Sequence, residues 1–157
     1  GGDEIEGIDG KSFLKALFGK EKEHRRFAYG IHNNIPEGTA YPIRSIRDKR
    51  YKLILNLTPE VEYFEKHLMN LKNERSVWAS WIESTKTDKR ARSFVDRYVK
   101  RPAIEFYDMQ KDPWELNNLA EEKKYAKRIA MMKGELEAWM RQQGDTGAQM
   151  DVKIKKQ

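Results

Sequence analysis

A chain of 157 residues with 38% hydrophobic, 36% charged and 11% aromatic residues can bury one modest core beneath a heavily solvated surface, which excludes both a large multidomain enzyme and a disordered chain. Lys and Arg outnumber Asp and Glu by 31 to 25, and the resulting net charge of +6 suits solubility as well as attraction to polyanions such as nucleic acid or sulfated glycan. The lack of cysteine excludes disulfides, thiolate metal ligands and a cysteine nucleophile, and no apolar run is long enough to cross a bilayer, so no membrane partner is expected. The acidic start, Gly1 to Glu6, has neither the basic nor the apolar region of a signal peptide, so an export signal is expected upstream, and the abrupt Gly-Gly-Asp-Glu opening reads as a boundary within a longer chain.

One unit is expected over 1–157, beginning with a helix and antiparallel strands over 8–58. Asp9-Gly10-Lys11-Ser12 reads as a turn, followed by Phe13, Leu14, Ala16, Leu17 and Phe18 at helical spacing and a stop at Gly19. Alternation of large residues predicts a strand over Phe27–His32, turn chemistry fills Asn33–Gly38, and two more extended runs, Tyr41–Arg47 and Arg50–Asn56, flank Asp48-Lys49. Alternation in Arg44-Ser45-Ile46-Arg47 places Arg44 on the face of Ile46, so that one arginine approaches a buried or partner-facing surface and needs an anion.

A helical insertion is expected over 60–101, with Val61, Phe64, His67, Leu68 and Leu71 on one stripe, then Val77, Trp78 and Trp81, then Ala91, Phe94, Val95 and Tyr98. Asn73 and Ser84–Asp88 are the expected breaks, and Pro102 closes the block. A fourth strand, Ile104–Met109, and the long helix make up 102–144. Asp112-Pro113-Trp114-Glu115 carries the N-cap, N1 and N3 signature of a helical turn. Tyr125, Ile129, Met132, Leu136 and Trp139 then predict a helix from about Glu121 to Gln143, ended by Gly144. Residues 145–157 read as a tail or a wrapped extension.

Of three histidines, His32 stands at a strand end beside a polar loop, where side chains commonly reach ligands, whereas His24 lies in a charge run and His67 on a helical stripe. No metal-ligand spacing and no glycine-rich phosphate loop occurs, so catalysis by this chain alone is not expected. The basic cluster from Lys86 to Arg101 reads as a solvated helix face, with Phe94 and Tyr98 one turn apart for packing, and the four tryptophans read as packing residues. Asn56-Leu57-Thr58 fits an N-glycosylation pattern that is common by chance. A self-standing basic module binding RNA or another polyanion is the alternative that the charge suggests.

Three stretches resemble the C-terminal region of the sulfatase family, and most closely its heparan N-sulfatase (N-sulfoglucosamine sulfohydrolase) branch: Ile8-Asp9-Gly10-Lys11-Ser12-Phe13-Leu14; Tyr41-Pro42-Ile43-Arg44-Ser45-Ile46-Arg47-Asp48-Lys49-Arg50-Tyr51-Lys52-Leu53-Ile54; and Glu105-Phe106-Tyr107-Asp108 with Asp112-Pro113-Trp114-Glu115 and Asn117-Asn118-Leu119-Ala120. The resemblance implies an α+β fold in which a four-stranded antiparallel sheet packs against the long C-terminal helix. It also implies a larger N-terminal domain as partner, carrying a formylglycine and a calcium site that are absent from this chain. A sulfated glycan substrate and a periplasmic, secreted or lysosomal setting follow from the same resemblance. The expected contribution of this chain is to wall the substrate pocket, with His32, Asn33, Glu37, Tyr41 and Arg44 as candidate substrate-facing residues. Separated from that domain, its apolar sheet face is expected to favour self-association.

Overall fold

The computed structural model describes residues 7, 8, 10–35, 38–72 and 76–150. A short helix α1 (Leu14–Leu17) precedes the strands and ends at Gly19, whose φ of 67° only glycine adopts readily. Strands β1 (Ala28–His32), β2 (Ile43–Arg47), β3 (Tyr51–Asn56) and β4 (Ile104–Asp108) form one antiparallel sheet in the order β1-β2-β3-β4. Between β3 and β4 lie α2 (Val77–Ser84) and α3 (Lys89–Val99), and the long helix α4 (Ala126–Gln142) follows a single 3-10 turn at Lys123–Tyr125. The α+β architecture expected from the strand and helix patterns is the one observed.

Alternation sorts the sheet into two faces. Tyr29, Ile46, Leu53 and Phe106 stand in register across all four strands, and the last three are fully buried. Onto this row α4 lays Ile129, Met132 and Leu136, spaced three and four residues apart as one helical stripe requires. Aromatic pairs close the two flanks: Tyr29 stacks on Trp139 at 4.6 Å, and Tyr51 stacks on Phe106 while Tyr125 meets both rings. At the hairpin between β2 and β3, Asp48 Oδ1 accepts from the backbone N–H of Arg50 and Tyr51 at 2.8 and 2.6 Å. The outer edge of β4 is covered rather than open: Asn118 accepts from Phe106 N–H and donates to the Ile104 carbonyl, and Leu119 N–H donates to the Phe106 carbonyl.

The end of α4 determines how the chain returns to the sheet. Gly144, at φ 67°, donates to the Arg141 carbonyl while Asp145 N–H donates to the Met140 carbonyl, the paired bonds of a Schellman motif. That turn delivers the Asp145 carboxylate to Arg44, which donates from Nε at 2.5 Å and from Nη2 at 3.1 Å. Arg44 is 1% exposed, so the arginine expected to face inward does so and its required anion comes from 101 residues further on. The stretch after Gly144 therefore wraps, with a 3-10 turn at Gly147–Met150, and residues 151–157 lie outside the described residues.

Two expectations are corrected, and the break expected at Ser84–Asp88 is observed. Residues 60–72 are turns, not helix, because other partners take their backbone groups: Tyr63 N–H donates to the Val99 carbonyl, and Glu65 bridges to Gly38 while its carboxylate accepts from His67 and Leu68 N–H. Tyr63 and Met69 are thereby buried, while Phe64 and Leu71 remain exposed. Asp112-Pro113-Trp114-Glu115 forms a turn that does not continue as helix, since Glu115 adopts φ 54° and Asp112 accepts from Asn117 N–H instead of capping. The hydrogen-bonded breaks in the insertion fall where Ser76 caps α2 and Asp88 caps α3; the break expected at Asn73 lies outside the described residues.

Asp145→Ala removes the carboxylate that buried Arg44 meets with two hydrogen bonds, and the expected cost is about 3–5 kcal/mol in urea unfolding. The pairing with Arg44 holds Asp145 below the ordinary aspartate value of 3.8, so it contributes stability above that value and the contribution is lost as pH falls through its depressed folded pKa. Stability measured from pH 6 down to pH 2 is expected to fall less steeply in Asp145→Ala than in the parent chain; equal slopes would exclude this pair as a source of acid sensitivity.

Candidate functional site

Of the five residues expected to face substrate, the four described, His32, Asn33, Tyr41 and Arg44, cluster at one end of the sheet around the loop between β1 and β2. His32 closes β1, is exposed, and lies with its ring 6.2 Å from Tyr63. Asn33 follows it half-buried, its Oδ1 accepting from Arg44 Nη1 at 2.9 Å. Tyr41 is 0% exposed, edge-on to Tyr63 at 5.3 Å, and its hydroxyl has no hydrogen-bond partner among the described residues. Burial pushes the Tyr41 phenol above its ordinary value. Arg44 is held beneath the loop by Asp145, Asn33 and the Ile43 carbonyl. Glu37 lies outside the described residues.

The four described candidates therefore separate by surface. His32 and Asn33 present atoms at the sheet end, whereas Tyr41 and Arg44, expected to face substrate, offer none. The reason is strand alternation for Arg44 and the cluster of Tyr63, Met69, Trp78 and Val95 for Tyr41. These two side chains hold the loop in place. Asn34 does so as well: it sits at φ 60°, is buried, and its Nδ2 donates to the Thr39 and Phe64 carbonyls at 2.9 and 2.7 Å. Gly38 is pressed so tightly against the same carbonyl that an added Cβ would lie 1.9 Å from Phe64 O.

A second concavity was not anticipated. A groove of 720 Å³ opens between α2–α3 and the sheet face turned away from α4. Trp81 and Trp114, read from the sequence as packing residues, line it at 43% and 80% exposure. Trp78, by contrast, is buried, and Trp139 is stacked on Tyr29 as packing residues should be. Phe94 also faces this groove, so only Tyr98 of that pair joins the core cluster. Turn chemistry lifts Trp114 clear of any helix, whereas Trp81 shares α2 with buried Trp78 and no sequence signal separates those two. At the groove floor Glu105 accepts from Asn56 Nδ2 at 2.8 Å and from the Tyr107 hydroxyl at 2.5 Å, and burial together with Glu105 pushes the Tyr107 phenol well upward. Asn56, with its amide buried in these bonds, cannot serve as a glycan acceptor in this fold.

Among the described residues no group of three His, Asp or Glu side chains could hold a metal ion. The sequence has neither a cysteine nor a serine followed two residues later by proline, so these residues do not fit a formylglycine or a calcium site. No helix is long and apolar enough to cross a membrane.

No family model matches the chain. An ulvan-active sulfatase of Formosa agariphila is 34% identical over 151 residues, which are 92% of this chain and 27% of that protein. The human N-sulphoglucosamine sulphohydrolase is 23% identical over 141 residues, 84% of this chain and 26% of that protein. A solved protein in complex with its substrate D-glucosamine-2-N,6-O-disulfate shares the fold at TM-score 0.55 and 21% identity, over 92% of this chain and 22% of that one. A 2-O GAG sulfatase shares it at TM-score 0.56 and 19% identity, over 99% of this chain and 24% of that one. The chain belongs to the sulfatase family, as its C-terminal subdomain. It spans about a quarter of the length of the curated relatives it matches.

Two glycine substitutions are expected to act in opposite directions. Gly38→Ala forces the loop off residue 64 and should destabilise by about 1–3 kcal/mol. Gly134→Ala, in mid-α4 with nothing within 4 Å of the new Cβ, should stabilise by about 0.5–1 kcal/mol. Chemical denaturation of both variants checks the loop packing; a neutral Gly38→Ala would contradict it.

Proposed function

We propose that this chain forms one wall of the sulfated-glycan pocket of a sulfatase and does not hydrolyse sulfate by itself. The observation that carries this reading is sulfatase kinship over about a quarter of each relative, together with a sequence free of cysteine and, among the described residues, no group of His, Asp or Glu able to hold a metal ion. The remaining part of the sulfatase would supply the formylglycine and calcium. His32 and Asn33, with Glu37 in the same loop, approach the substrate; Arg44 and Tyr41 act as positioning residues that keep the loop at the sheet end. An imidazole N–H and an amide N–H at such a site can donate to sulfate or sugar oxygens.

N-sulfated glucosamine is the proposed substrate, in line with the human relative and with the ligand of the solved neighbour. A second reading, a sulfate ester of an ulvan-type polysaccharide, is favoured by the 34% identity to the ulvan-active sulfatase. The apolar surface of α1, where Phe13, Leu17 and Phe18 are each more than 60% exposed, is the proposed contact with the rest of the enzyme.

Sulfate release from an N-sulfated heparin disaccharide and from an ulvan oligosaccharide, each with calcium, compares this chain with its full-length parent. Turnover is expected in the parent only, and the better substrate decides between the two readings; turnover by this chain alone would overturn the proposal. In the parent, His32→Ala should raise KM about tenfold with kcat retained, as loss of one ground-state contact requires. Sedimentation of the isolated chain should show self-association that Phe13→Ser with Leu17→Ser abolishes; a monomer at all concentrations would count against α1 as a contact surface.

A further inference from the structure

The groove between the sheet and α2–α3 stands apart from the His32 loop, yet both open on the same face of the sheet. His32 meets Tyr63, Tyr63 meets Tyr98 at 5.6 Å, and Tyr98 lines the groove. From this placement we infer that the groove is a binding site for neighbouring sugars of a sulfated oligosaccharide, beyond the residue held at the His32 loop. The inference rests on the sulfated-glycan reading above and extends it.

Three observations identify the ligand chemistry. The volume, 720 Å³, suits a ligand of a few rings, whereas a docking domain meets a flatter patch such as that of α1. Its walls carry exposed aromatic rings: Trp81 and Phe94 line it beside Trp114, the most exposed large apolar residue described, which is held up by a strained turn with Glu115 at φ 54° and paired to Lys52 at 2.9 Å. Around those rings stand guanidinium groups already positioned. Arg90 and Arg97 lie over the Phe94 ring at 5.4 and 5.7 Å, and Arg101 lies over Tyr63 and Tyr98 at 4.6 and 5.3 Å. Planar guanidinium forks suit sulfate oxygens, and flat rings suit the apolar faces of pyranose sugars.

The acidic members of the lining separate a glycan from a nucleic acid. Asp88, Glu105 and Glu115 share the groove with those arginines. A continuous phosphate backbone would be repelled by three carboxylates, whereas sugar hydroxyls need acceptors as much as sulfates need donors. A ligand alternating sulfates with hydroxyls satisfies both.

The test uses this chain, a sulfated heparin hexasaccharide, its desulfated counterpart and polyuridylate, with tryptophan fluorescence and titration calorimetry as readouts. The sulfated hexasaccharide should quench the tryptophans, and Trp114→Ala and Arg90→Ala should each weaken its binding about tenfold. Both positions are exposed, so an unchanged melting temperature confirms that the fold is retained. Binding unaffected by either variant, equal binding of the desulfated sugar, or polyuridylate binding with the same variant dependence would each overturn the inference. In the full-length parent, Trp114→Ala should raise KM for the hexasaccharide while leaving disaccharide hydrolysis within twofold; an equal loss on both substrates would make the groove a domain contact instead. Should the parent release no sulfate from either sugar, the pocket proposal fails, and the binding measurements on this chain still decide the groove.

Discussion

A guanidinium placed on the inner face of a sheet has to be met by a carboxylate, because a charge taken out of water without a partner costs several kcal/mol. Arg44 imposes that demand on strand β2, and Asp145 answers it from the far end of the long helix. For the pair to close, α4 must start at the right turn, run the right length across the sheet and end with Gly144 in the left-handed conformation that throws Asp145 back. The third donor of Arg44 reaches Asn33, so the loop that carries His32 takes its position from the same pair. One buried ion pair thus connects the register of the sheet, the end of the helix and the placement of the candidate site.

The two faces of the sheet solve different problems. Facing α4, Ile46, Leu53, Leu55 and Phe106 make a dry interior that one amphipathic helix can cover. The opposite face alternates to Ser45, Lys52, Ile54, Asn56, Glu105 and Tyr107, a row too polar to be buried under a second helix of ordinary pattern. The insertion covers only part of it, through Tyr41, Tyr63, Trp78 and Val95, and its remaining span stays open as the groove. Glu105 is tolerable at the floor because Asn56 and Tyr107 satisfy it.

The strands, the stop at Gly19, the stripe of α4 and the inward arginine were legible in the sequence because each depends on local pattern: period two, period 3.6, or a glycine at a turn. Residues 60–72 were not, since Val61, Phe64, Leu68 and Leu71 have helical spacing while the backbone is taken by Val99 and Gly38, partners distant in sequence. The turn at Asp112 had every mark of a helix start, yet the Asp112 carboxylate was used by Asn117 and the Lys52 ammonium drew Glu115 into a left-handed turn. The loop between β1 and β2 was legible as turn chemistry, but which of its members are exposed depends on Asp145 and Tyr63, and no spacing rule connects those to Arg44 and Tyr41. The groove was invisible for the same reason: its tryptophans differ from packing tryptophans only in what tertiary structure sets around them.

The pocket wall proposed for this subdomain demands internal order. Catalytic geometry tolerates displacements of well under an ångström, so a wall that selects substrate has to be as rigid as the site it faces. Here rigidity comes from polar groups rather than from hydrophobic burial: Asn34 pins the loop to residue 64, Arg44 pins it to the helix end, and Gly38 leaves no room for slack. Hydrophobic contacts would allow sliding, whereas a bidentate ion pair and two amide bonds have one geometry. The surfaces left over then divide by chemistry. The aliphatic and phenyl groups of α1 can be dried by a protein partner at little cost, while the ringed and charged groove keeps its charges hydrated until a ligand arrives that replaces each water with a hydroxyl or a sulfate oxygen.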